Sequence, residues 1–312
     1  MGTEAGGILK RHGLTCKKLV ECPISSAKVA TVPLGEVHHV TVKSATIAGL
    51  IETLVTKRDL VRQLASREFA SRFRGSMLGS AWAIVTPLLL ATVYTFVFNT
   101  VFKMRWTEAD SPSNLNFAVY LILGLAVHGI FVECISRAPH LILSNPSYVT
   151  KVVFPLEVLP FVLLASALTN AGISITIAIL LNWLVSGSLH HSIVFIPLIV
   201  IPYAIFISAF VMILAACGVY LRDLAQVVNV IIPVSLFLTP VFYPLTAVPS
   251  VVRNLMWINP LTFAVEQMRA TTVQGLAPNL VGLLLYMAAS LGALSVSFWL
   301  FQRLRQGFAD VL

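Results

Sequence analysis

Charge is what this chain has least of. Only 11% of its 312 residues are Asp, Glu, Lys or Arg, where a soluble domain carries about a quarter. Acidic residues are the scarcer half, 13 against 21 Lys and Arg. That shortage excludes function classes. A carrier driven by protons or sodium places carboxylates at mid-membrane, and only Glu133 approaches such a position. A transferase acting on polyprenyl-phosphate sugars would gather acidic residues at one membrane face, but Glu108, Asp110 and Glu266 form no cluster. Neither a GxxxxGK[ST] phosphate loop nor an HExxH pair occurs, so the chain is not expected to hydrolyse ATP or to run zinc chemistry. No catalytic residues are assigned. The four cysteines (Cys16, Cys22, Cys134 and Cys217) divide between the N-terminal tail and apolar segments, which implies no disulfide framework. No metal site is expected either. Cys16 and Cys22 lack zinc-ligand spacing with His38 and His39, and His190-His191 has no third ligand nearby.

What the chain does have is uncharged length. It is 57% apolar, and its mean hydropathy is +0.88. The fold class is an all-α polytopic membrane protein. Residues 1–50 read as a poorly ordered tail with no assigned function, and 51–312 as one transmembrane domain. Six spans are expected, at about 77–102, 117–136, 160–186, 193–219, 227–242 and 279–301. Residues 51–76 read as an amphipathic helix lying on the membrane surface. Its apolar stripe is Val61, Leu64, Ala65 and Phe69, and Lys57, Arg58, Arg62, Arg67, Arg72 and Arg74 face anionic headgroups. Arg58 and Arg72 fall toward the apolar side and would have to snorkel. Glu68 and Arg72 are spaced for an ion pair within the helix. Gly75 and Gly79 allow a turn into the first span, which Pro87 should kink.

The net charge of +8 follows from topology rather than from nucleic acid. Eleven Lys and Arg flank the spans on one side, against four (Lys103, Arg105, Arg253 and Arg269) on the other. The positive-inside rule then puts both termini in the cytoplasm, and the five tryptophans fall near span ends, as an aromatic belt requires. Within span two, Glu133 is expected near the cytoplasmic headgroups, while His128 stays open between a functional and a packing role. The proline-broken stretch 137–159 is a cytoplasmic loop suited to contact a soluble partner. Residues 249–258 and 260–270, broken by Asn259-Pro260, read as two half-helices that dip into the outer leaflet and return.

The run FRGSMLGSAWAIVTPLLLATVYTFVFNTVF resembles the opening of span one in permeases of ABC-2 polysaccharide exporters, the O-antigen, capsule and teichoic-acid export channels. VVFPLEVLP is similar to that family's first cytoplasmic loop, TPVFYP with INPLTFAVEQMR to its re-entrant section, and QGFADVL to its C-terminal ending. The resemblance covers about residues 57–312. It implies a homodimer in the bacterial inner (cytoplasmic) membrane, with two copies of a separate nucleotide-binding subunit that carries ATP and magnesium, so this chain binds no cofactor itself. The cargo would be a lipid-linked glycan. The interface helix would present Arg58, Arg62, Arg67, Arg72 and Arg74. Asn145, Lys151, Glu157, Arg222 and Asp223 would contact the ATPase, and Tyr94, Phe98, Phe102, Tyr243, Trp257 and Phe263 would line the glycan path. An ABC-2 permease for a drug or small lipid is the alternative, and the sugar transferase comes after it.

Overall fold

The computed structural model describes residues 47–104, 106, 114–150 and 154–311. The tail up to residue 46 lies outside the described residues, and so do Lys151, Arg105, Glu108 and Asp110. Every regular element among the described residues is helical.

The basic region is two helices rather than one. Helix α1 spans Ile47–Thr56 and α2 spans Arg58–Ser71. The break falls at Lys57, whose ψ of 19° departs from helical geometry. Helical order also begins earlier than the expected domain start, because Leu50 is buried with Phe301 and Phe308. Beyond α2, Gly75 and Gly79 take positive φ and turn the chain. Helix α3, Trp82–Thr95, follows and contains Pro87. It passes into a π-helical stretch, Phe96–Val101.

Helix α4, Asn114–Arg137, is the bundle's axis, and its membrane-length segment is the most buried of the five. A tight turn, Ala138–His140, and the short α5, Pro146–Thr150, lead to α6, Leu159–Ser186. Gly187 closes α6 in the left-handed conformation. Helix α7, Ile196–Tyr220, then returns. Helix α8, Leu224–Leu238, precedes the short α9, Ser250–Met256, and α10, Pro260–Thr272. The chain finishes with α11, Leu280–Arg305, and α12, Phe308–Val311.

Among the described residues, five segments are long and apolar enough to span a membrane: Gly79–Val101, Leu115–His140, Leu156–Ser186, His191–Tyr220 and Leu280–Arg305. The segment expected at 227–242 differs. Helix α8 has 15 residues, about 22 Å at 1.5 Å per residue, against a hydrocarbon core of about 30 Å. It stops at Leu238 because Pro240 cannot continue the backbone ladder and Thr239 before it is extended.

Packing relies on small residues, as expected where lipid removes the hydrophobic drive between helices. The most extensive contact is α7 on α11, where Ala209, Ala215 and Ala216 are buried with Leu294 and Phe298. Gly218 on α7 shows how close the approach becomes. A Cβ there would lie 2.2 Å from the Pro139 carbonyl oxygen, so the Ala138–His140 turn rests directly on the α7 backbone. Gly218→Ala is therefore expected to destabilise the protein by roughly 1–3 kcal/mol. Unfolding in a denaturing-detergent titration checks this, and an unshifted midpoint would mean the turn moves freely.

Candidate functional site

The two ends of the bundle are built differently. At the basic end, α2 crosses the ends of α4 and α6. Its apolar side packs on α6, where Ala65 is buried with Val158 and Val162, and Val61 and Leu64 sit half-buried beside them. Phe69 instead meets Phe73 edge-on at 5.3 Å. Two ion pairs tether the helix. Arg72 makes a two-pronged pair with Glu133 of α4, and its Nη2 also donates to Ser166 Oγ of α6 at 2.9 Å. Arg137, the last residue of α4, pairs with Glu68. The pair expected between Glu68 and Arg72 is thus replaced by two pairs to α4. Arg72 has no need to snorkel, because the half-buried carboxylate of Glu133 receives it. Arg58, Arg62, Arg67 and Arg74 are exposed.

The loop beyond α4 lies at the same end. The Asn145 amide donates to Leu141 O at 2.9 Å and to Ser144 Oγ at 3.2 Å, which fastens the turn before α5. Glu157 accepts from Arg305 Nη1 at 2.9 Å, joining the start of α6 to the end of α11. Arg222 and Asp223 are exposed in the turn between α7 and α8. Tyr220 beside them donates to Leu304 O at 2.7 Å.

The opposite end is organised by a residue that the sequence reading counts only among the four basic residues of the outer side, on the half-helix 260–270. Arg269 of α10 is only 2% exposed. Its guanidinium donates from Nε to Tyr120 O at 3.1 Å, from Nη1 to Pro240 O at 2.5 Å, and from Nη2 to Val241 O at 2.8 Å. Glu266, one turn earlier, lies 3.2 Å from Nη1, and the group sits 4.2 Å over the Trp106 ring. A guanidinium stays charged at neutral pH, and these carbonyls together with Glu266 compensate that charge. Gly124 leaves the space: a Cβ there would come within 2.6 Å of Nη2. Trp106 is accordingly not a lipid-facing belt residue. It is buried beneath this arginine, whereas Trp82, Trp183, Trp257 and Trp299 are exposed.

The six candidate path aromatics divide. Tyr94, Phe98 and Phe102 form one cluster along α3 and its π-helical end, with ring separations of 6.4 Å and 5.7 Å between successive members. Its centre is Phe242, which sequence reasoning did not single out. Phe242 stacks on Phe98 at 4.6 Å and meets Tyr94 edge-on at 5.0 Å. Tyr243 turns away to donate to Phe237 O at 2.5 Å. Phe263 belongs to a second group with Tyr286, 5.5 Å away, and Trp257 is exposed at the end of α9. Between the two ends, His128 Nε2 lies 3.0 Å from Ser235 Oγ. The serine hydroxyl donates to Ile232 O at 2.7 Å. The imidazole therefore donates to the hydroxyl and ties α4 to α8.

A membrane helix bundle with a tethered basic helix at one end and paired short helices at the other has a match among known families. The family described as ABC-2 type transporter matches residues 59–273. This chain belongs to the ABC-2 type transporter family. It is 28% identical over 263 residues to the O-antigen export system permease protein RfbA of Myxococcus xanthus, covering 84% of this chain and 98% of that protein. A Klebsiella pneumoniae protein of the same name is 26% identical over 260 residues, covering 81% of this chain and 95% of its own length. In this ABC-2 chain the sequence signals for the missed residues were slight. Arg269 stands three residues after Glu266 on a proline-initiated helix, and a charge in an otherwise apolar stretch is the only cue that a buried partner waits for it.

Proposed function

We propose that this chain is the membrane-spanning subunit of an ATP-driven exporter that moves a lipid-linked polysaccharide across the bacterial inner membrane. The observation that carries this reading is the likeness to O-antigen export permeases over nearly their whole length. ATP would be hydrolysed by a separate nucleotide-binding subunit, two copies of which would serve a homodimer of this chain. The basic end would face the cytoplasm with both termini, which agrees with the excess of Lys and Arg there. Asn145, Glu157, Arg222 and Asp223, with Lys151, would meet the ATPase. Helices α9 and α10 would be the re-entrant pair at the outer mouth, and the aromatic cluster around Phe242 would offer ring faces to passing sugars.

Deleting the gene and measuring both surface glycan and intracellular lipid-linked glycan tests the proposal. Surface glycan is expected to disappear while the lipid-linked form accumulates inside. Loss of both would point to biosynthesis and to the transferase reading. No change in either would move the cargo to a drug or small lipid.

A further inference from the structure

The two segments proposed to meet the ATPase, the loop after α4 and the turn after α7, do not support themselves. Helix α5 has 5 residues, below the roughly 12–15 that an isolated helix needs, and Arg222 and Asp223 stand exposed in their turn. Both segments are fastened by the end of the chain. Phe308 of α12 is fully buried, in one cluster with Leu50 of α1, Ile142 and Leu156 of the loop, Val219 of α7 and Phe301 of α11. Its ring meets Phe301 edge-on at 5.8 Å and lies 6.1 Å from Tyr220. Tyr148 of α5 stacks on Phe154 at 4.5 Å, and both pack against the same cluster. Polar links reinforce it. Arg305 donates to Glu157 and to Phe154 O, 148 residues or more away along the chain, and Tyr220 donates to Leu304 O. The Glu157 side chain is only 12% exposed, so it anchors the loop from within. Gly307 makes room for the tyrosine, since a Cβ there would lie 2.5 Å from Tyr220 Oη.

We propose that residues 305–308 are a latch that positions the loop after α4 and the turn after α7 as one docking surface for the nucleotide-binding subunit, an inference that rests on the proposed function. The loop leaves α4 at one end and enters α6 at the other. What pins it between them comes from α11 and α12. The same few residues hold Tyr220, next to the second segment, so one buried ring sets both. Arg305 and Phe308 are positioning residues: they need not touch the partner. A partner that recognises only the pinned arrangement binds with an apparent affinity reduced by the fraction of molecules that hold it.

Titration of the full chain in lipid nanodiscs tests the latch. The probe is the nucleotide-binding subunit that co-purifies with the native chain and carries a GxxxxGK[ST] phosphate loop. Half-saturation and plateau are read separately. Phe308→Ala is expected to raise the half-saturating concentration about tenfold, as when the loop is pinned in about one molecule in ten. Gly307→Ala takes nothing from the core but pushes the Tyr220 hydroxyl off Leu304 O, and should raise it about threefold. Phe308→Leu keeps an apolar side chain of similar size and should stay within about twofold of the native value. The plateau per folded chain should not change. A lowered plateau at native half-saturation would mean that the variants only unfold a share of the chains, and would overturn the inference. So would native half-saturation in both Phe308→Ala and Gly307→Ala. Hydrogen–deuterium exchange in the loop should quicken in step with half-saturation. Weakened binding with native exchange there would mean that Phe308 touches the partner itself, and would also overturn the latch. If no such subunit accompanies the native chain, the proposed function fails and takes the inference with it, an outcome read before any variant is made.

Discussion

Arg269→Ala is expected to destabilise the protein by about 3 kcal/mol or more. Truncation leaves the carbonyls of Pro240 and Val241 without their Arg269 donor and removes the side-chain bond to Tyr120 O, all in an apolar setting. An unpartnered buried carbonyl costs about 1–3 kcal/mol. Polar contacts between membrane helices average nearer 0.6 kcal/mol, which is why the estimate stays at the lower end of that sum. The stacked contact with Trp106 is lost as well. Arg269→Lys should recover only part of the loss, since one ammonium cannot reach three carbonyls on two separate segments. Gly124 supplies a sharper test. Gly124→Ala places a methyl group 2.6 Å from Arg269 Nη2 and 3.3 Å from Val241 Cγ1. It should destabilise the native protein yet be much less harmful beside Arg269→Ala, where the larger clash is gone. Denaturing-detergent titration of the four proteins gives the coupling. Additive effects would show that Arg269 and Gly124 do not share the space.

The helices were legible because a span is a one-dimensional signal. Expected bounds of 160–186 and 193–219 fall within a few residues of α6 and α7. The Asn259-Pro260 break is visible in sequence because proline favours the first helical position and asparagine the cap before it, and Asn259 does accept from the Leu261 N–H at 3.0 Å. What stayed hidden depends on which helices are neighbours. Periodicity marks Glu68 and Arg72 as one turn apart, and nothing local says that α4 brings Glu133 and Arg137 to them. Phe242 was invisible for the same reason. Its partners Tyr94 and Phe98 lie on α3 and its π-helical end, far away along the chain. At 227–242 the expected bounds lie three to four residues late, because apolar composition continues past Leu238 to the proline that ends α8.

Breaking the Arg72–Glu133 pair is expected to free α2 from the bundle. Both side chains are mostly shielded, 19% and 15% exposed. Removing either partner strands a charge between α2, α4 and α6, at a cost of roughly 2–4 kcal/mol, somewhat below a fully buried pair. The neighbouring pair offers a contrast. Arg137 and Glu68 are 43% and 29% exposed, so Glu68→Gln should cost no more than about 1 kcal/mol. What then holds α2 is its apolar packing through Val61, Leu64 and the buried Ala65 against Val158 and Val162. Hydrogen–deuterium exchange reads the outcome directly. In Glu133→Gln the amides of α2 should exchange on the order of 30-fold to several hundred-fold faster, while those of α7 and α11 stay unchanged. Arg72→Lys should resemble Glu133→Gln, because an ammonium cannot reproduce the two-pronged pair and the bond to Ser166 together. The reversed pair, Arg72→Glu with Glu133→Arg, should restore part of the protection. If α2 exchanges at the native rate in Glu133→Gln, apolar packing alone anchors the helix and the ion pair is not its tether.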